Sequence, residues 1–129
     1  MTNDHDGCVI EPVRSILRIE AVVVLVVLVT LYWRVHASWL VFVVFLFAPD
    51  IAMFAYLRGT RIGAWSYNAF HTYTAPVICL GFSLLFPLLL PIAIVWAAHI
   101  AMDRALGYGL KYEDAFGHTH LGIIGKPKR

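Results

Sequence analysis

The run ILRIEAVVVLVVLVTLYW, residues 16–33, decides the fold. Its only charges are Arg18 and Glu20 near the start, and a helix of about 20 apolar residues spans a hydrocarbon layer of about 30 Å. The valines would suit a strand in water. A bilayer, however, offers no partner to the backbone and so admits only helices or closed barrels, and four segments of this length cannot close a barrel. Working outward, three more apolar stretches occupy residues 37–57, 64–86 and 88–110. The connections at Arg34-Val35-His36 and Pro87 are very short, and Arg58-Gly59-Thr60-Arg61-Ile62-Gly63 carries turn-forming glycines. Consecutive helices are therefore expected to be antiparallel neighbours. The expected fold is all-α: a four-transmembrane-helix up-down-up-down bundle at 16–110, between a polar N-terminal tail (1–15) and a cytoplasmic C-terminal tail (111–129).

Composition agrees with a lipid solvent. Of 129 residues, 60% are hydrophobic and 14% charged, against about 25% charged in soluble domains, and the mean hydropathy is +0.76. A net charge of +2 without a basic patch argues against a nucleic-acid partner. Cys8 lies in a polar tail and Cys79 in an apolar run, so no disulfide is expected. The first stretch has signal-peptide features, with Arg14 and Arg18 ahead of an apolar core and small residues at 35–37. Glu20 interrupts that core and Arg34 precedes the small residues, which favours a retained anchor.

Lys and Arg set the expected orientation. Arg14, Arg18, Arg58, Arg61, Lys111, Lys126, Lys128 and Arg129 fall on one side and only Arg34 on the other. Both termini are thus expected in the cytoplasm of a bacterial inner-membrane protein. Trp33, His36 and Trp39 would mark the opposite interface.

Counting along the helices from that cytoplasmic end places Asp50, His71 and Asp103 about 12 Å deep and His99 about 18 Å deep. Glu20 and Arg104 lie nearer the interface, and Asn68, Thr72 and Tyr108 surround the same level. Charged side chains at such depth cost about 2.5 to 3.5 kcal/mol each and normally face the bundle interior. His99 and Asp103, four apart, share one helix face, as two ligands of one metal or as a carboxylate orienting an imidazole. Asp50, His71, His99 and Asp103 together would suit Zn, Mn or Mg. Each element also has a plainer reading: a hydrogen-bonded pair that locks helix register, an Asp50–Arg104 ion pair, a polar interhelical contact at His71. In the C-terminal tail, His118 and His120 could chelate a metal, or the segment could pack on the bundle, with the basic end of the tail suited to anionic headgroups.

The runs Leu17-Arg18-Ile19-Glu20, Ala48-Pro49-Asp50, Tyr67-Asn68-Ala69-Phe70-His71-Thr72-Tyr73, AHIAMDRALGYGLKY (98–112) and Thr119-His120-Leu121-Gly122 closely resemble a bacterial family of small integral membrane proteins, the domain of unknown function 4260. The resemblance covers nearly everything after residue 15. It implies no activity, but it implies that Glu20, Asp50, Asn68, His71, His99, Asp103, Arg104, Tyr108 and His120 belong to the family signature. A more distant likeness links Pro49-Asp50, His71-Thr72 and His99 with Asp103 to inner-membrane metal-dependent hydrolases named after zinc-dependent phospholipases. The chain departs from that pattern by lacking a second His beside His71-Thr72 and a Ser after it.

Three functional expectations follow. In the first, a metal on Asp50, His71, His99 and Asp103 activates water against a lipid-like substrate, Arg104 steadies an anionic group and Glu20 accepts a proton. In the second, a non-enzymatic membrane module uses the cluster to fix helix packing and to bind a partner subunit or lipid. The third, a b-type haem between His71 and His99, is disfavoured by their depth difference of about 6 Å.

Overall fold

The computed structural model describes residues 7–125. Helix α1 runs Val13–Arg34 and α2 Trp39–Leu46; a 3-10 helix, Ala48–Arg58, continues α2; α3 is Thr60–Phe70, α4 Thr74–Phe82 and α5 Leu89–Leu106. Three helices are long and apolar enough to cross a membrane: Val13–Arg34, Trp39–Arg58 and Leu89–Leu106. The tail adds a small antiparallel hairpin, β1 (His118–Thr119) and β2 (Gly122–Ile123), which an all-α expectation does not contain.

The 64–86 stretch departs from the expected unbroken helix: it starts at Thr60, opens between Phe70 and Thr74, and ends at Phe82. Opening a helix in an apolar surround frees carbonyls that must find donors. Here α5 supplies them: Trp96 Nε1 donates to the Phe70 carbonyl at 2.8 Å, and Arg104 Nη2 to the His71 carbonyl at 3.3 Å. Beyond the opening, Thr72 Oγ1 accepts from the Thr74 N–H, and Pro76 sits in the first turn of α4, where a missing N–H costs nothing. Pro49 has a comparable effect in the second span. It cannot donate to the Phe45 carbonyl, and the chain tightens there to an i→i−3 pattern, with Asp50 N–H on the Phe47 carbonyl.

Helix α5 is the centre of the molecule. Helices α1, α2 and α4 all pack on it, and α3 packs on the 3-10 helix. Its buried face is Ala93, Ile94, Val95, Ala98, His99, Ile100 and Ala101, and Ala21 and Ala64 are buried on facing helices. Large side chains point outward instead: Leu40 is 73% and Leu84 87% exposed. Small residues inside and large apolar residues outside are the pattern of helices packed in lipid, where close backbone approach replaces a hydrophobic driving force. Near the opposite end, Tyr32 is fully buried against Trp39 and Phe42, and its hydroxyl donates to the Ser38 carbonyl at 2.6 Å.

At the other end the two tails are joined. The Val9 N–H donates to the His120 carbonyl at 2.8 Å, Cys8 Sγ to the Thr119 carbonyl, and Tyr112 OH to the Gly7 carbonyl. Cys8 and Cys79 are free thiols, as expected. Of the basic residues in the orientation count, Lys126, Lys128 and Arg129 lie outside the described residues.

Gly63 packs its backbone onto the Tyr56 ring, and a Cβ there would overlap the ring carbons. Gly63→Ala is expected to lower stability in detergent by about 1–3 kcal/mol. The loss should be smaller in a Tyr56→Ala background, as a double-mutant unfolding cycle would measure.

Candidate metal centre

Three helical segments supply four side chains to one point. On α5, His99 and Asp103 stand one turn apart. The opening after α3 turns His71 towards them, and the tightened turn after Pro49 presents Asp50. One ligand atom from each of these residues lies within 4.8 Å of all the others. These are the four residues expected from depth and spacing alone.

The distances are informative. His71 Nε2 and His99 Nε2 are 3.0 Å apart. From Asp50 Oδ1, each of these nitrogens is 3.5 Å away; from Asp103 Oδ2 they are 3.6 and 3.4 Å away. A charge-assisted N–H···O bond measures about 2.7–2.9 Å, so the four nitrogen–oxygen separations are too long for ion-pair hydrogen bonds. They lie near the edge length of a coordination tetrahedron, about 3.3–3.4 Å for metal–ligand bonds of 2.0–2.1 Å, whereas the His71–His99 separation of 3.0 Å is shorter and within hydrogen-bond reach. The quartet could therefore hold a divalent ion. The same 3.0 Å leaves no space for a porphyrin between the two histidines.

The surroundings orient the quartet as metal ligands are usually oriented. His71 Nδ1 lies 2.8 Å from the Tyr67 carbonyl. A carbonyl only accepts, so the ring proton sits on Nδ1 and the Nε2 lone pair faces the quartet. Tyr67 also stacks on the His71 ring, with centroids 3.7 Å apart, and its hydroxyl donates to Asp103 Oδ2 at 3.2 Å. His99 Nδ1 is buried without a hydrogen bond that meets normal geometry among the described residues. Both histidines are at most 3% exposed, Asp103 is 14% and Asp50 39%. Asp50 is thus the most exposed member of the quartet.

Arg104 does not pair with Asp50; it braces the backbone of His71 and lies 5.7 Å from the Tyr73 ring. Glu20, on the exposed side of α1, makes no hydrogen bond or ion pair with the quartet. It lines a separate cavity of about 140 Å³ with Arg104, Tyr73 and His120. Asn68 clasps the Lys111 backbone through both its amide atoms, at 2.8 and 2.7 Å. Thr72 stabilises the start of α4, and the exposed Tyr108 closes the end of α5 through its backbone N–H on the Asp103 carbonyl. Gly107, at φ 97°, makes that left-handed cap. In the tail, His118 bonds Asp114 and His120 Nδ1 accepts from the Leu110 N–H, so neither joins the quartet.

Sequence reasoning missed Lys111 as a contributor. Its ammonium is buried in a cage of Tyr56, Tyr67 and Phe116, at 5.4, 4.6 and 3.3 Å from the ring centroids. Burial pulls its pKa down to about 8, against the opposing pull of Asp103 and Asp50. The tail thereby places a positive charge over Tyr67, behind the ring that stacks on His71. No local pattern announces this, because the three rings come from three separate segments.

A sequence profile described as Domain of unknown function (DUF4260) matches residues 14–124. No curated protein and no solved structure matches the chain.

The tail has a pH dependence. Burial, then the neighbouring Arg104 guanidinium, holds the His120 imidazole below its usual value of 6.5. The folded tail then binds fewer protons than the unfolded one just below pH 6.5, so the contribution of His120 is complete above that pH and is lost as pH falls further. Protonation also removes the acceptor of the Leu110 N–H. Amide exchange of residues 110–121 is expected to accelerate as pH falls from 7 to 5, after correction for the intrinsic rate. In His120→Ala the exchange should be fast throughout.

Proposed function

The chain belongs to the family of domain of unknown function 4260, and on that footing we propose that it is a membrane metalloprotein whose Asp50, His71, His99 and Asp103 hold one divalent ion, zinc foremost, for hydrolysis of a lipid-like substrate. The observation that carries the reading is the convergence of two imidazole nitrogens and two carboxylate oxygens within 4.8 Å of one another, with nitrogen–oxygen separations of 3.4 to 3.6 Å that exceed those of charge-assisted hydrogen bonds. Two imidazoles with two carboxylates favour zinc or manganese over magnesium, which prefers oxygen.

Bound there, the ion would lower the pKa of a water to about 7 and polarise an ester or phosphoryl oxygen. The chain's own groups do the rest. Tyr67 holds His71 and Asp103 in position, and Lys111 reinforces Tyr67 from behind. Asp50, the most exposed ligand, marks the side on which water and substrate approach. Arg104, adjacent to Asp103 in sequence, steadies an anionic group.

We also read the chain as four spans with both termini in the cytoplasm of a bacterial inner membrane. Support comes from the hydrogen bonds that join residues 7–9 to the C-terminal tail, which suits an even number of crossings, and from the Lys and Arg count. The third crossing is then the broken pair α3 and α4. Interrupted helices within membranes are tolerated where protein buries the opening.

A second reading has its own support. Four protein ligand atoms around one point resemble a closed structural site, in which a metal would fix α5 to its neighbours without turnover.

Elemental analysis of the full chain, purified in detergent without chelator, is expected to give one divalent ion per chain, lost in His99→Ala and Asp103→Asn. Folded, metal-free wild type would remove both readings. Tyr67→Phe is expected to weaken metal affinity about 10–100-fold. Against phospholipid esters, Asp50→Asn should abolish turnover under the enzymatic reading. Wild type that binds metal, gains thermal stability from it and hydrolyses nothing would favour the structural one.

A further inference from the structure

On the other side of Arg104 from the quartet, two cavities join. The polar one, about 140 Å³, is walled by Glu20, Tyr73, Arg104 and His120. The apolar one, about 490 Å³, shares Val24 and Tyr73 with it and runs past Leu28 and Ile94 to Arg34. The volume lies within the usual range of ligand pockets. Helices α1 and α4 both pack on α5 yet scarcely touch each other, so the trough lies between them. From Val24 to Arg34 α1 rises about 15 Å, about half the thickness of a hydrocarbon layer of about 30 Å. An apolar slot of that length can take a hydrocarbon chain.

The polar chamber has both kinds of hydrogen-bonding group to spare. His120 Nδ1 accepts from Leu110, which leaves the proton of the neutral ring on Nε2 as a donor. Arg104 uses Nη2 on the His71 carbonyl, and a guanidinium has five N–H bonds in all. Among the described residues Glu20, exposed on α1, makes no hydrogen bond and no ion pair, so its carboxylate is available to a ligand. A purely anionic head group would meet Glu20, and a purely cationic one would meet Arg104. A head group carrying both a phosphate and an ammonium satisfies both.

We propose that this trough binds a membrane lipid with a zwitterionic aminophosphate head group, its acyl chain between α1 and α4 and its head group among Glu20, Arg104 and His120. Binding needs no metal and does not depend on the metalloprotein reading. Native mass spectrometry of the full chain in detergent, with dioleoyl phosphatidylethanolamine or dioleoyl phosphatidylglycerol added, tests the site. Wild type should retain the ethanolamine lipid at least ten-fold better. Glu20→Gln should bring the two to equal retention. Val77→Trp, which fills the trough from its exposed wall, should lose both, and circular dichroism confirms that each variant is folded. Equal retention of the two lipids by wild type, or retention unchanged in both variants, overturns the proposal. Metal content is read on the same samples: metal-free wild type that still discriminates between the lipids supports the trough while removing the catalytic reading.

Discussion

The rest of the structure depends on one electrostatic constraint: two imidazole nitrogens and two carboxylate oxygens face a single point inside an apolar protein. Buried acceptors without a partner are costly, and buried anions more so. Protons satisfy part of it, since Tyr67 donates to Asp103 and the two histidine nitrogens lie 3.0 Å apart, but Asp50 and Asp103 stand 3.4 to 3.6 Å from those nitrogens. A divalent cation there would complement all four lone pairs and both negative charges. The features around the quartet follow from holding it in place. Tyr67 bonds one ligand and stacks on another, α3 opens at His71, and the second span tightens after Pro49.

Holding the quartet has consequences for the fold. A helix that opens in lipid must find new donors for its carbonyls, and α5 provides Trp96 and Arg104 for that purpose while carrying His99 and Asp103 itself. Alanines on the buried face of α5 let the surrounding helices approach closely enough for these contacts. Arg104 also faces the polar chamber on its other side. One residue therefore links the backbone of the quartet to the trough between α1 and α4.

Much of this was legible in the sequence because lipid imposes simple rules. Apolar run length gave the helical spans at 16–33, 37–57 and 88–110 to within a few residues. Counting 1.5 Å per residue from the charged ends brought Asp50, His71, His99 and Asp103 to a similar level. The i,i+4 spacing of His99 and Asp103 carried the pairing. The opening at His71 was not legible, since Tyr67 to Tyr73 contains no proline or glycine, and its stability comes from Trp96 and Arg104, far along the chain. The Lys111 cage and the joined tails are likewise products of tertiary contact, which no local periodicity encodes. Glu20, expected nearer the interface at the margin of that level, faces a different cavity, because depth along a helix says nothing of azimuth.

The most direct test of the account is the zinc-edge X-ray absorption spectrum of the full chain purified with one equivalent of zinc. The account predicts about four nitrogen and oxygen ligands at 2.0–2.1 Å, with the outer-shell scattering of two imidazoles and no sulfur. A spectrum of hydrated zinc without imidazole scattering, or one with sulfur near 2.3 Å, would contradict it.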